Sequence, residues 1–213
     1  MKSVQEVMAT GGSVPTSVTG TAANNTQIEA DGTLKFNGDA TTWDDIVGSL
    51  VARRLDSTTG RLQYDFDENA IIMQDDGDIT NSADTLIFNY QYPHAAKTDG
   101  EMRLHIHWEQ ISTDDLEFTV KHRIQNNGAE KTIAWTTTVV STNTNNVFTF
   151  NGHTTLDQIT SLVNVDMTGA SISATVQFKV ARTDDTGGDD ILAIFIDAHV
   201  ERDTIGSRTE FGK

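Results

Sequence analysis

Between Asp84 and Gln125 the chain carries three successive segments in which apolar and polar residues alternate almost strictly. Leu86, Phe88, Tyr90 and Tyr92 fall on one face of the first; Met102, Leu104, Ile106 and Trp108 do so on the second. Leu116, Phe118, Val120 and Ile124 share a face of the third. Side chains on a strand alternate with a period of two, so each segment has one face suited to a core and one suited to water. That pattern predicts an antiparallel sheet covered on one side.

The rest of the chain agrees. Leu62, Tyr64 and Phe66 share a face, and Ala70–Met73 forms a short apolar strand. Asn127-Gly128 reads as a turn into a strand over residues 131–142 that contains Trp135, and Val147–Phe150 resumes strand. Near the end, Ile172, Ala174, Val176, Phe178 and Val180 share one face, and Leu192, Ile194, Ile196, Ala198 and Val200 another. One short helix is expected at Leu156–Val163, with Thr154 as cap and Leu156, Ile159, Leu162 and Val163 as an apolar stripe. Thr41–Ile46 reads as a capped helical turn, with Trp43 tucked inward and Asp44 and Asp45 in its first turn. Roughly eight to ten strands with turn signals every ten to fifteen residues define an all-β class, an antiparallel β-sandwich of jelly-roll-like form. Residues 1–32, rich in Thr, Ser, Gly, Ala and Asn and without a sustained period, are expected to form an extended N-terminal arm on a domain spanning residues 33–213.

Charge and composition exclude several functions. A net charge of −16 argues against nucleic acid, which is held through clustered Lys and Arg, and against anionic membrane surfaces. With no cysteine, disulfides and thiolate metal sites are ruled out. Met1-Lys2 is not followed by an apolar signal region, and the apolar run Ile191–Ile196 is too short to span a bilayer, so a soluble protein made in a cytoplasm is expected. Nucleophilic catalysis has no Gly-x-Ser-x-Gly elbow to rest on, no phosphate-cradling glycine loop is present, and no enzymatic activity is expected.

His105-x-His107 is the sharpest chemical signal. On a strand, positions i and i+2 point to the same side, so both imidazoles could reach one metal ion. His94 lies upstream, and His199 sits on the outward face of the last strand between Asp197 and Glu201. His105, His107 and His199 are therefore the residues a metal reading would use, with a carboxylate beside them. A cupin places Gly, His-x-His and then Glu in its first motif, and Gly, Pro, His and Asn in its second. Here Gly100 precedes the pair and Glu117 is displaced, while the second motif has no counterpart, since Pro15 and Pro93 are the only prolines. The alternative is that His105 and His107 share a polar face with Arg103 and Glu109, packed under a loop or at an interface. No metal or cofactor is assigned on sequence grounds. The acidic stretches at Asp65–Glu68, Asp75–Asp78 and Asp184–Asp190 lack EF-hand spacing and read as solvated turns. Of the tryptophans, Trp108 and Trp43 are expected in the core rather than in a sugar-binding groove.

Several segments together resemble a family of tailed-bacteriophage virion proteins. They are Phe36–Ile46 (FNGDATTWDDI), Tyr92–His94 leading to Leu104–Trp108 (YPH and LHIHW), and Asp203–Phe211 (DTIGSRTEF). In that family a Trp-Asp-Asp segment opens the domain, a Pro-His pair precedes a His-x-His-Trp strand, and the chain ends on an Asp-Thr-x-Gly-Ser-Arg-x-Glu-Phe tail. The resemblance implies a structural role in the virion: a sandwich attached to capsid, neck or tail, with the arm as an anchor. A capsid decoration or cement protein is expected, a homotrimer contacting the major capsid protein or other virion proteins. The alternative is a tail- or neck-associated module for a receptor or carbohydrate, using exposed loops and aromatics such as Tyr90 or Tyr92. The family carries no catalytic residue to transfer.

Overall fold

A computed structural model of the chain describes residues 19–20, 23–28, 33–48, 62–67, 69–74, 79–80, 84–110, 116–129, 134–141, 158–183 and 190–205. Its strands are β1 (Thr19–Gly20), β2 (Asn25–Ile28), β3 (Leu34–Asn37), β4 (Thr42–Gly48), β5 (Leu62–Asp65), β6 (Ala70–Met73) and β7 (Leu86–Gln91). They continue with β8 (Glu101–Gln110), β9 (Glu117–Gln125), β10 (Thr136–Ser141), β11 (Gln158–Asp166), β12 (Thr175–Arg182), β13 (Ile191–Arg202) and β14 (Thr204–Ile205). The alternation over residues 84–125 becomes β7, β8 and β9, and its apolar faces are buried as expected, Ile124 only in part.

Two antiparallel sheets face each other. One runs β10-β9-β12-β7; the other runs β11-β8-β13-β6-β5, with β4 also on β13. From β6 onward the chain changes sheet at each connection except β9–β10. The resulting orders, β11-β8-β13-β6 opposite β10-β9-β12-β7, are those of an eight-stranded jelly roll. The twelve-residue β13 is the spine of its sheet. β8 lines one edge of it, and the other edge is shared by β6 near its start and β4 near its end. Both inner faces contribute to a single apolar core. Trp108 on β8 meets Phe118 on β9 edge-on across the sandwich, with ring centroids 6.4 Å apart.

A smaller sheet, β1-β2-β3-β14, is attached where β13 ends. Residues 19–20 and 25–28 of the expected arm are thus strands, with β2 paired to β3 in antiparallel register. The Phe36 amide donates to the Asp203 carbonyl at 2.6 Å, and Ala96 bridges Arg202, which ties this sheet to the sandwich.

The helix expected at Leu156–Val163 is not formed. Its described part is β11, paired to β8 along its length. A bulge between Ser161 and Val163 leaves Leu162 and Val163 both buried. One extra residue in a strand resets its phase, and the resulting apolar spacing imitates a helical stripe. The helical turn at Thr41–Ile46 is also corrected. Gly38–Ala40 is a short 3-10 turn, and Thr42–Gly48 is a strand whose β-branched residues pair with β13. Trp43 is not tucked inward but 41% exposed. Tyr64 and Phe66 likewise lie at the surface rather than with buried Leu62. The strand expected at Val147–Phe150 and the acidic stretches at 75–78 and 184–189 lie outside the described residues.

The Cβ of an alanine at Gly48 would stand 2.4 Å from the Tyr90 hydroxyl oxygen, which donates to the buried Ile196 carbonyl at 3.3 Å. Gly48→Ala is expected to destabilise the fold by about 1–3 kcal/mol, as overpacking does. Combined with Tyr90→Phe, which removes the nearest clashing atom and leaves only the ring carbon at 2.9 Å, it should cost less than the sum of the two single changes in a urea-unfolding cycle. Strict additivity would mean that Gly48 is not held small by this tyrosine.

His122 follows Val120 on the core face of β9, its ring centroid 6.3 Å from that of Phe178, and its buried Nδ1 has no hydrogen-bond partner. Burial lowers its pKa below the ordinary imidazole value. The unfolded chain therefore binds this proton more readily. The stabilisation is complete above the unfolded value of about 6.5 and is lost as pH falls through the folded one. Unfolding midpoints in urea should drop between about pH 7.5 and about pH 5.5, and His122→Phe should flatten that drop. An unchanged pH profile in the variant would exclude His122 as a contributor.

Candidate functional site

The outer face of the β8–β13 pair carries the polar half of the alternation. Across the ladder, Asp197 stands opposite His105, Phe195 opposite His107, and His199 opposite Arg103. This register depends on a bulge in β13 between Ala193 and Phe195. Before the bulge, Ile191 and Ala193 face the core; after it, Ile196, Ala198 and Val200 do. Leu192 and Ile194 therefore do not share the core face expected for them. The same phase change turns Asp197 and His199 outward, beside the two histidines of β8.

Asp197 is the centre of the cluster. Its Oδ1 accepts from His107 Nε2 at 3.2 Å, and its Oδ2 lies 2.9 Å from His199 Nε2 and 3.9 Å from His105 Nδ1. His199 Nε2 is also 3.1 Å from Oδ1 of Asp45, which β4 places opposite it. The one hydrogen on that nitrogen is shared between two carboxylates. The rings of His105 and His199 stand 4.3 Å apart. His107 stacks on Phe195 at 3.8 Å, nearly parallel. At the other side Arg103 donates to Glu101 and lies over the Trp43 ring, 4.2 Å from its centre.

Although it belongs to the outer face, His105 is only 5% exposed, and so is Asp197. The Nδ1 of His105 is buried without a hydrogen-bond partner. Burial is the main cause that lowers the His105 pKa; His199 lowers it further, and Asp197 opposes the shift. The ligand atoms of His105, Asp197 and His199 all lie within 4.8 Å of one another.

The three histidines marked in the sequence are therefore brought together. His94 is not part of the set; its Nε2 lies 2.7 Å from Ser173 Oγ, in the loop before β12. The displaced acid Glu117 belongs to β9 in the opposite sheet, where it accepts from the Thr183 hydroxyl at 3.1 Å. Sequence reasoning named Asp197 only as a neighbour of His199 and placed Asp45 in a helical turn. The strand register that joins them to the histidines is a tertiary fact. Tyr90 and Tyr92 are buried, at 4% and 0% exposure, so neither is available to a ligand.

No family model matches the chain, and no curated protein does. Among solved structures, similarity is found to a family two carbohydrate esterase from Cellvibrio japonicus, with a TM-score of 0.35 and 8% identity. It covers 79% of this chain and 36% of that one. A second is dimeric latent PorU from Porphyromonas gingivalis, with a TM-score of 0.34 and 13% identity, covering 92% of this chain and 15% of that one. The chain thus spans 36% of the first protein and 15% of the second, and the likeness is too weak to bear on function.

Proposed function

We propose that this chain is a virion structural protein of a tailed bacteriophage: a jelly-roll subunit that decorates and stabilises the capsid, with its N-terminal segment as a strap. One observation supports the reading above others. The stretches that resemble phage virion proteins, far apart in sequence, are gathered along β13 and its continuation: Phe36–Ile46 leads into β4, which pairs with the end of β13, while Leu104–Trp108 pairs with it from Ala198 back to Ala193. β3 and β4 carry Phe36–Ile46, β8 carries Leu104–Trp108, and Asp203–Ile205 opens the C-terminal stretch. β14 pairs with β3, the Arg202 guanidinium meets the Asp44 carboxylate, and Lys97 pairs with Glu201 at 3.4 Å. Stretches that lie along neighbouring strands, rather than around a cleft, fit a shared structural framework.

In this role the protein acts by burying surface between copies and against the major capsid protein, at three-fold positions if it is a trimer. A receptor- or glycan-binding module has less support, because Tyr90 and Tyr92 are core residues. Co-sedimentation of the purified protein with phage particles that lack it tests the reading. Saturable binding is expected, with a trimeric mass by light scattering. Absence of binding to any particle would sink the proposal.

A further inference from the structure

We propose that His105, Asp197 and His199 form a binding site for a divalent transition-metal ion, zinc in the first instance, on the outer face of the β8–β13 pair. The donor set is two imidazole nitrogens and one carboxylate oxygen, which suits zinc and neighbouring first-row ions rather than calcium or magnesium. All three residues sit on adjacent, mutually paired strands, so their backbone positions are fixed before any ion arrives. Zinc bonds of about 2.0–2.1 Å in tetrahedral geometry place ligand atoms about 3.3 Å apart. The separations here, 2.9 Å from Asp197 Oδ2 to His199 Nε2 and 3.9 Å to His105 Nδ1, bracket that value. The whole set lies within 4.8 Å, so closing it takes a few tenths of an ångström at Asp197 and a rotation that brings the two imidazoles together by an ångström or more.

Two further features point to a ligand rather than to a self-sufficient hydrogen-bond network. The first is the His105 nitrogen: a polar atom of a side chain only 6% exposed, aimed at Asp197 at 3.9 Å with no hydrogen bond made. Such an atom costs free energy unless something fills the gap. The second is His199 Nε2, flanked by the carboxylates of Asp197 and Asp45. A cation at that point would satisfy both carboxylates, where a single N–H hydrogen is shared. Asp45, 64% exposed at its side chain, stands at the rim, where it or water could complete four-coordination. His107 acts through Asp197: by holding Oδ1 at 3.2 Å it orients the carboxylate so that Oδ2 faces the two ligand histidines. The ion would cross-link β8 to β13 near the middle of β13.

The test uses the full chain without a histidine tag, stripped with chelator and titrated with zinc by calorimetry, with native mass spectrometry for stoichiometry. Expected are one zinc ion per chain, no comparable response to magnesium, and a rise in melting temperature on zinc addition. Cobalt should bind in its place and give the intense visible absorption of a tetrahedral site. Asp197→Asn and His199→Asn, close in size to the native residues, should abolish binding while circular dichroism stays that of a β protein. His107→Asn should weaken binding by about 10–100-fold, as loss of an orienting partner does. Absence of stoichiometric zinc on the intact chain would overturn the proposal, as would binding that survives unchanged in both ligand variants. Equal loss in His107→Asn and in the ligand variants would overturn its assignment as an orienting residue.

Discussion

Replacing Trp108 by alanine is expected to lower the unfolding free energy by about 3–5 kcal/mol, the range for removing a large aromatic side chain from a close-packed core. That is a large share of the roughly 5–15 kcal/mol that holds a domain together. The indole is fully buried, reaches across the sandwich to Phe118, and donates through Nε1 to the Thr160 hydroxyl at 3.0 Å. Alanine leaves a cavity between the sheets and also deprives Thr160 of its donor. Trp108→Phe should cost less, since part of the volume remains. Urea unfolding followed by far-UV circular dichroism measures both. A loss below about 1 kcal/mol for the alanine variant would show that the two sheets do not depend on this contact.

The second large effect is expected at Asp197. Its side chain, 8% exposed, serves His107 and His199 at once. Asp197→Ala should destabilise the metal-free protein by about 1–3 kcal/mol for each donor left without an acceptor. His199 keeps Asp45 within 3.1 Å, so the larger part of the loss belongs to His107. Asp197→Asn retains the shape and one acceptor oxygen and should cost less. Equilibrium unfolding in chelator separates this contribution from that of zinc. If Asp197→Leu proves as stable as the parent, the carboxylate is kept for something other than stability, as buried charged groups sometimes are.

The candidate site was half legible. His105 and His107 could be placed on one strand face from spacing alone, because a period of two is a local property. That Asp197 and His199, already expected on the outward face of the last strand, would lie beside these two histidines was not readable, because it requires β13 to pair with β8. The bulge at Ile194 was hidden as well, since the apolar run from Ile191 to Ile196 puts a hydrophobic residue at every position, and it is the faces of Leu192 and Ile194 that were misread for it. The bulge in β11 hid differently, by burying the adjacent Leu162 and Val163 and so giving a strand the apolar spacing of a helix. Thr41–Ile46 misled for a different reason. Acidic residues after a threonine fit a helix start, and only the open edge of β13 made an extended strand the better choice.

What this sequence determined by itself is therefore what lies within a few residues: alternation that makes strands, turn residues that end them, and the resulting all-β class. The tertiary structure decided which strands are neighbours, where an extra residue shifts a ladder by one, and so which side chains converge around Asp197. The physical reason is that the pleat is dictated by each chain segment alone. Register and bulge position follow from a competition among all the strands for burial and hydrogen bonds, and no single segment carries that information.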